Sequence, residues 1–152
     1  MCAIGRIELL TAVYGLVIIL DVVRAELAAS PRIAPLARAA EARGVFSVSS
    51  SYNPRTASLL RQTLDAGESA AIALALENNA DLLLIDEHLG RSVAKSVNIS
   101  VMGVLGILLE AKKRGILEEI SPVITDLITI ANFRIAPSLQ AHVLSLAGEK
   151  PL

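Results

Sequence analysis

The sequence predicts an α/β fold in which helices pack over a short parallel sheet. Three observations point there. Leu16 to Leu20 (LVIIL) and Asp81 to Ile85 (DLLLI) are runs of strand length, nearly all apolar, as expected of strands buried on both faces. The elements follow the order strand, helices, strand, helix, strand, which suits a right-handed layered arrangement. Apolar residues make up 53% of the chain but aromatics only 3%, with no Trp. The core must therefore come from Ala, Leu, Ile and Val. At 152 residues one domain spanning 1–152 is expected.

Taken in order, a helix is expected over Gly5 to Tyr14, then the LVIIL strand. Helices follow at Asp21 to Ala29 and at Ile33 to Ala42, the second opened near Pro31 and closed by Gly44. Phe46 to Asn53 (FSVSSSYN) is Ser-rich and reads as a loop with room for one short edge strand. Pro54 starts a helix to Leu64. Asp65, Ala66 and Gly67 punctuate it, and an Ala/Leu-rich helix runs on to Asn79. After DLLLI come an amphipathic helix over Glu87 to Val97 and a short strand over Ile99 to Val101. Helices at Gly103 to Arg114, Pro122 to Ala131 and Pro137 to Ala147 complete the chain, each with Pro or Gly near a boundary.

Charge and composition exclude several function classes. The formal net charge is -1 and the pI about 6.1, so no global field favours nucleic acid and any RNA contact must be local. A single cysteine, Cys2, rules out an internal disulfide and fits a reducing cytoplasm. Mean hydropathy is +0.58, yet the best membrane candidate, Leu9 to Leu20, is broken by Thr11, Tyr14 and Gly15. It is well short of the roughly 20 apolar residues of a spanning helix. Glu8 before it and Asp21 after it do not suit a signal peptide. A soluble chain is expected.

The acidic residues carry the functional information. Glu26 follows Val22 and Val23 by four and three positions, on their helix face. Glu68 precedes Ile72 and Leu76 by four and eight, on an apolar stripe. Asp86 closes the DLLLI run and Glu87 follows it. In open parallel sheets ligands bind beyond the carboxyl ends of the strands, where Asp86 is expected. Each has a plainer reading. Asp65 and Glu68 form a D-x-x-E capping box, Asp86 can cap the helix after it, and Glu26 can be a surface charge. Together they suit a hard divalent cation, since Mg²⁺ and Mn²⁺ prefer carboxylate and water oxygens.

Other chemistries lack their patterns. His88 and His142 lie in different helices without zinc-ligand spacing. Ser47, Ser49, Ser50 and Ser51 lack a nucleophile-elbow context, and no phosphate-binding glycine motif is present. Glu87, Arg91 and Lys95 recur every four residues, as on a solvated, salt-bridged helix face. Lys112, Lys113 and Arg114 end a helix, where the dipole favours cations.

The order of the pieces resembles the PIN-like proteins of the DUF3368 type. The central block carries most of the likeness: Gly67-Glu68-Ser69-Ala70-Ala71-Ile72-Ala73-Leu74-Ala75, then Asp81 to Glu87 (DLLLIDE), then Gly90-Arg91. Val101 to Gly115 (VMGVLGILLEAKKRG), Asn132 to Pro137 (NFRIAP) and Ala147-Gly148-Glu149 are similar to the stretches that follow. Upstream, Ile4 to Leu10 (IGRIELL) and Val23 to Leu27 (VRAEL) resemble the first helix and a V-x-x-E-L segment. The resemblance implies a three-layer α/β/α PIN-like fold and an acidic site for Mg²⁺ or Mn²⁺. In active relatives it implies cleavage of single-stranded RNA, often by the toxin half of a toxin–antitoxin pair, as a homodimer in the cytoplasm. Carried over, Glu26, Glu68 and Asp86 are the catalytic and metal-binding positions, with Glu87 a further metal candidate and Arg91 a substrate contact.

Two departures qualify the likeness. Such proteins begin with a strand ending in an aspartate, shortly before the Ile-Gly pair, whereas here Ile4-Gly5 lies next to Met1. Leu20 stands where proline is usual; Asp21 follows it at a strand end but does not align with that aspartate. The expectation is a chain lacking the first strand and first catalytic Asp. Three functions remain open: a metal-dependent endoribonuclease with an incomplete site, an inactive PIN-like module binding RNA or protein, and a small α/β ligand-binding regulatory domain.

Overall fold

The computed structural model describes residues 1–150. A short 3-10 turn at Cys2–Ile4 ends at Gly5, whose φ of 65° is left-handed. The chain continues through α1 (Glu8–Tyr14), β1 (Ile18–Leu20), α2 (Asp21–Ala29), α3 (Ala34–Ala42) and β2 (Ser47–Ser49). Then come α4 (Pro54–Leu60), α5 (Ala66–Glu77), β3 (Leu83–Leu84), α6 (His88–Ser96), β4 (Val101–Met102), α7 (Val104–Lys113), α8 (Ser121–Thr129) and α9 (Pro137–Leu146). The fold is α/β, mainly helical, with parallel strand pairing. Among the described residues no helix is long and apolar enough to cross a membrane.

The elements follow the sequence closely, with shifted ends. The first helix starts at Glu8 rather than Gly5, because Gly5 has already turned left-handed to close the 3-10 turn. Asn53 caps α4 by accepting from the Arg55 N–H at 2.9 Å, and Pro54 occupies the first turn, where its missing N–H costs nothing. The edge strand expected in the Ser-rich loop is β2.

The parallel strands form two separate pairs. β1 pairs with β2 (Ile18 opposite Ser47, Ile19 opposite Val48, Leu20 opposite Ser49), and β3 pairs with β4 (Leu83 opposite Val101, Leu84 opposite Met102). The expectation that LVIIL and DLLLI are buried on both faces is corrected accordingly. Leu20 is buried, but Leu16 is 78% exposed, and Leu82 to Ile85 are only half-buried. Among the described residues each strand has a neighbour along one edge only, and such narrow pairs offer helices too little surface to cover both faces.

Helix α5 packs against both β1 and β3. Its Ser69, Ala70, Ile72, Ala73, Leu74 and Ala75 are all buried, the signature of a helix surrounded on nearly all sides. Leu76 lies at the surface instead of continuing an apolar stripe. Ile72 and Ala75 pack with Ala94 of α6 and Ile99, and Ala70 and Leu74 pack with Leu20. The largest core joins α1, α7, α8 and α9 through residues such as Val13, Leu108, Ile124 and Leu144. A further core sets Val17 and Phe46 against Ala37 and Ala40 of α3. Small residues where helices meet let the backbones approach and fill space without aromatics.

Candidate functional site

The site is built where α5, the end of β3, and the first turns of α6 and α7 converge. Asp65 caps α5, its Oδ1 accepting from the Glu68 N–H at 2.8 Å. The Ser69 hydroxyl, fully buried, donates to the Asp65 carbonyl at 2.6 Å. The D-x-x-E pattern is therefore half of a capping box. The Asp65 N–H favours the ionised form of Glu68, but the Glu68 carboxylate makes no hydrogen bond of ordinary geometry to it. Instead, Glu68 Oε1 is buried with no hydrogen-bond partner. Burial pushes the Glu68 carboxyl above its usual range. The negative charges of Asp65 and Glu87 add to that shift, and the Asp65 N–H opposes it.

The space that Oε1 occupies is opened by Gly90, buried in the first turn of α6. A Cβ there would lie 2.5 Å from Glu68 Oε1 and 2.5 Å from Ile85 Cδ1. Glu68 thus reaches from α5 to the start of α6, within electrostatic range of Glu87, the exposed residue before α6.

Asp86 lies two residues beyond the end of β3 and is exposed. Its Oδ1 accepts from the Val104 N–H at 2.8 Å. It caps α7, therefore, and not the helix that follows it in sequence; α6 begins after Glu87 without a side-chain cap. Gly103, the residue before α7, leaves room for this contact: a Cβ there would lie 2.7 Å from Asp86 Oδ1 and 3.6 Å from Arg91 Nη1. Arg91 is half-buried and turned toward this corner. The expected Glu87–Arg91–Lys95 salt-bridge ladder does not form among the described residues, since Arg91 is drawn to Gly103 and Glu87 stands near Glu68. The Met1 ammonium lies close by. Burial lowers its pKa, and the charges of Cys2 and Asp86 oppose that. An apolar pocket of about 200 Å³ opens beside Asp86, walled by Met1, Leu84, Met102, Val104 and Ile107. A larger groove of about 460 Å³ lies between α7 and α9 and holds none of these carboxylates.

Glu26 is exposed on α2, a helix that packs mainly on α3, β1 and β2. On that helix Val23 is half-buried against Leu20 while Val22 is exposed. Among the described residues no three Asp, Glu, His or Cys side chains come together as a group able to hold a metal ion. The structure therefore relates Glu68 to Glu87, and Asp86 to Arg91, and leaves Glu26 outside both pairs. The basic run at the end of α7 is engaged elsewhere. Lys112 pairs with Glu149 at 2.5 Å, and Arg114 pairs with Glu110 at 2.7 Å and donates to the Val13 carbonyl.

Sequence reasoning missed the two glycines and the Met1 ammonium. The signal for Gly90 was available: a glycine in a helical stretch weakens the helix and so asks for a spatial reason.

Arranged this way, the carboxylates offer hard oxygen donors, one of them unpartnered. A family model described as DUF3368: PIN domain matches residues 1–149. No match was found among curated proteins or among solved structures.

Proposed function

The chain belongs to the DUF3368 family of PIN domains, and from that we propose that it is a divalent-metal-dependent endoribonuclease with Glu68 as the anchoring carboxylate. The observation that carries this reading is the buried, unpartnered Oε1 of Glu68. An unsatisfied buried acceptor is destabilising, and a cation or a proton would relieve it. The donor set suits a hard cation that takes only part of its coordination from protein. Mg²⁺ is commonly held by one or two carboxylates, with water and substrate phosphate filling the rest.

On this reading Glu68, with Glu87 beside it, would hold Mg²⁺ or Mn²⁺ together with water and substrate oxygens. Asp86 and Glu26, which do not join them in one ligand group among the described residues, complete the acidic set of the family reading. When bound, such an ion lowers the pKa of a water and neutralises phosphate charge. Glu68 supplies an oxygen already stripped of solvent, which strengthens its attraction for positive charge. Asp86 keeps one oxygen on the Val104 N–H, which fixes its rotamer at the end of β3. Arg91, half-buried beside Gly103, would donate to an RNA phosphate. The same family reading extends to a toxin role, an antitoxin partner, a homodimer and a cytoplasmic site of action.

The test is cleavage of single-stranded RNA by pure protein with Mn²⁺ or Mg²⁺, compared with Glu68→Gln and Asp86→Asn. Asn retains an oxygen for the Val104 N–H, so the α7 cap survives. Loss of metal-dependent cleavage by about 100-fold or more in each variant is expected. A second reading, a PIN domain that binds RNA or protein without cutting it, is favoured by the lack of a three-residue ligand group among the described residues. RNA binding that persists in Asp86→Asn, with no cleavage in any metal, would replace the first reading by the second. With neither binding nor cleavage, a regulatory ligand-binding domain remains.

A further inference from the structure

We propose that Gly90 and Gly103 are positioning residues, whose missing side chains leave the spaces occupied by the Glu68 and Asp86 carboxylates. What those carboxylates do there rests on the nuclease reading; where they lie does not.

Neither glycine is demanded by its own backbone. Gly90 lies within α6 and Gly103 has φ -97° and ψ 172°, and neither has positive φ. On local grounds alone each is a poor choice: glycine weakens a helix interior, and Ser, Asp or Asn caps a helix better. Both positions are explained by the neighbouring element. An added Cβ at Gly90 would stand 2.5 Å from Glu68 Oε1, and one at Gly103 2.7 Å from Asp86 Oδ1. Real Cβ contacts essentially never fall below 3.0 Å. The glycines of α5 and α7 differ in what they face. At Gly67 a Cβ would meet only Asp65 Oδ1, at an ordinary 3.5 Å, and at Gly106 it would be as close as at Gly103, 2.7 Å, but to the apolar Met102 Cγ and not to a carboxylate.

What must yield at Gly90 is the far end of Glu68 and the tip of Ile85, both able to swing away. The backbone survives such a change while the carboxylate leaves its buried place. Gly90→Ala is thus expected to displace a functional group without unfolding the chain. Gly103→Ala pushes Asp86 off the Val104 N–H and frays the first turn of α7.

The experiment uses the full chain carrying ¹³C-labelled carboxyl groups, with the Glu68 resonance assigned by its loss in Glu68→Gln. In the wild type the buried Glu68 carboxyl resonance should be shielded from a soluble paramagnetic probe, and in folded Gly90→Ala the probe should broaden it as it does an exposed glutamate. In Gly90→Ala/Glu68→Asp, where the acid is one methylene shorter, the shielding from the probe should return. In Gly103→Ala the Val104 amide should exchange with solvent at least tenfold faster, while Gly67→Ala should change neither readout. If Gly90→Ala fails to fold, adding Ile85→Val removes the second obstruction and leaves the carboxylate conflict to be read. A Glu68 carboxyl still shielded in the folded Gly90 variant, or an unchanged Val104 amide in Gly103→Ala, would overturn the proposal for that glycine. These signals need no RNA. A protein that shows them but never cleaves RNA keeps the positioning role and loses the nuclease reading.

Discussion

At the scale of single residues, Glu68 shows how a site can oppose the fold that holds it. Its carboxyl is raised above the usual range, chiefly by burial and then by Asp65, against the opposing Asp65 N–H, with Glu87 adding to the rise. The folded protein then holds this proton more tightly than the unfolded chain does. Between the ordinary carboxylate value and the raised one, the unfolded state binds fewer protons, so stability falls as pH rises through that window. Below the window the penalty is absent; above it the full cost remains. Glu68→Gln should remove this fall and raise the melting temperature at pH 7 by about 1–3 °C. Thermal unfolding of both proteins from pH 4 to 8 checks it. A variant melting lower than the wild type at neutral pH would show that the ionised carboxylate is stabilising after all. Gly67 offers a contrast: a Cβ there meets only Asp65 Oδ1, at an ordinary 3.5 Å, and its φ is not positive, so Gly67→Ala should stabilise the protein by about 0.5–1 kcal/mol through helix propensity. Urea midpoints measure this directly.

At the scale of elements, Glu149 ties three helices together near the end of the described chain. Its carboxylate accepts from the Ile120 and Ser121 N–H groups at the start of α8, at 2.8 and 2.9 Å, and from Lys112 of α7 at 2.5 Å. Burial pushes its carboxyl up, but Lys112 and the two N–H groups outweigh that and hold it below the usual range. With a folded pKa below the unfolded one, its contribution is present above the ordinary carboxylate value and is lost as pH falls through the folded value. Its pH dependence therefore runs opposite to that of Glu68. Glu149→Gln should cost about 2 kcal/mol at pH 7 and make unfolding less sensitive to acid, as denaturant titrations at pH 7 and pH 3 would reveal. Local signals made most elements legible. α2 matches its expected range at both ends, Asn53 and Pro54 mark α4, and Gly44 and Gly115 stop helices at positive φ. The site was legible only in part. Spacing marked Glu68 and Asp86 only as acids that could equally be caps, and family resemblance made them candidates; which helix Asp86 caps depends on Val104, eighteen residues away. Such a choice is made by tertiary packing and leaves no periodic trace. Gly90 likewise carried a local anomaly, while its cause lay on α5.

At the scale of the whole molecule, the strands among the described residues are two or three residues long, lie in two separate pairs, and each lacks a partner there along one edge. The rigid part is instead helical. Ile72 in α5, Leu108 in α7, Ile124 in α8 and Leu144 in α9 are fully enclosed, whereas Ile18 in β1 and Leu83 and Leu84 in β3 are not. Local opening free energy follows buried apolar contact and shielded hydrogen bonding. Amides inside α5, α7 and α8 should therefore exchange slowest. The bonds from the Leu83 N–H to the Ser100 carbonyl and from the Ile85 N–H to the Met102 carbonyl should open far more often, because a two-stranded parallel pair has little packing to resist fraying. Native-state hydrogen exchange is expected to rank β3 and β4 at least tenfold faster than the centre of α7. The Asp86 corner would then rest on the most easily opened strand, with the α7 cap as its firmer support. If the β3 amides proved the most protected in the chain, the strands and not the helices would be the stable frame that carries the carboxylates.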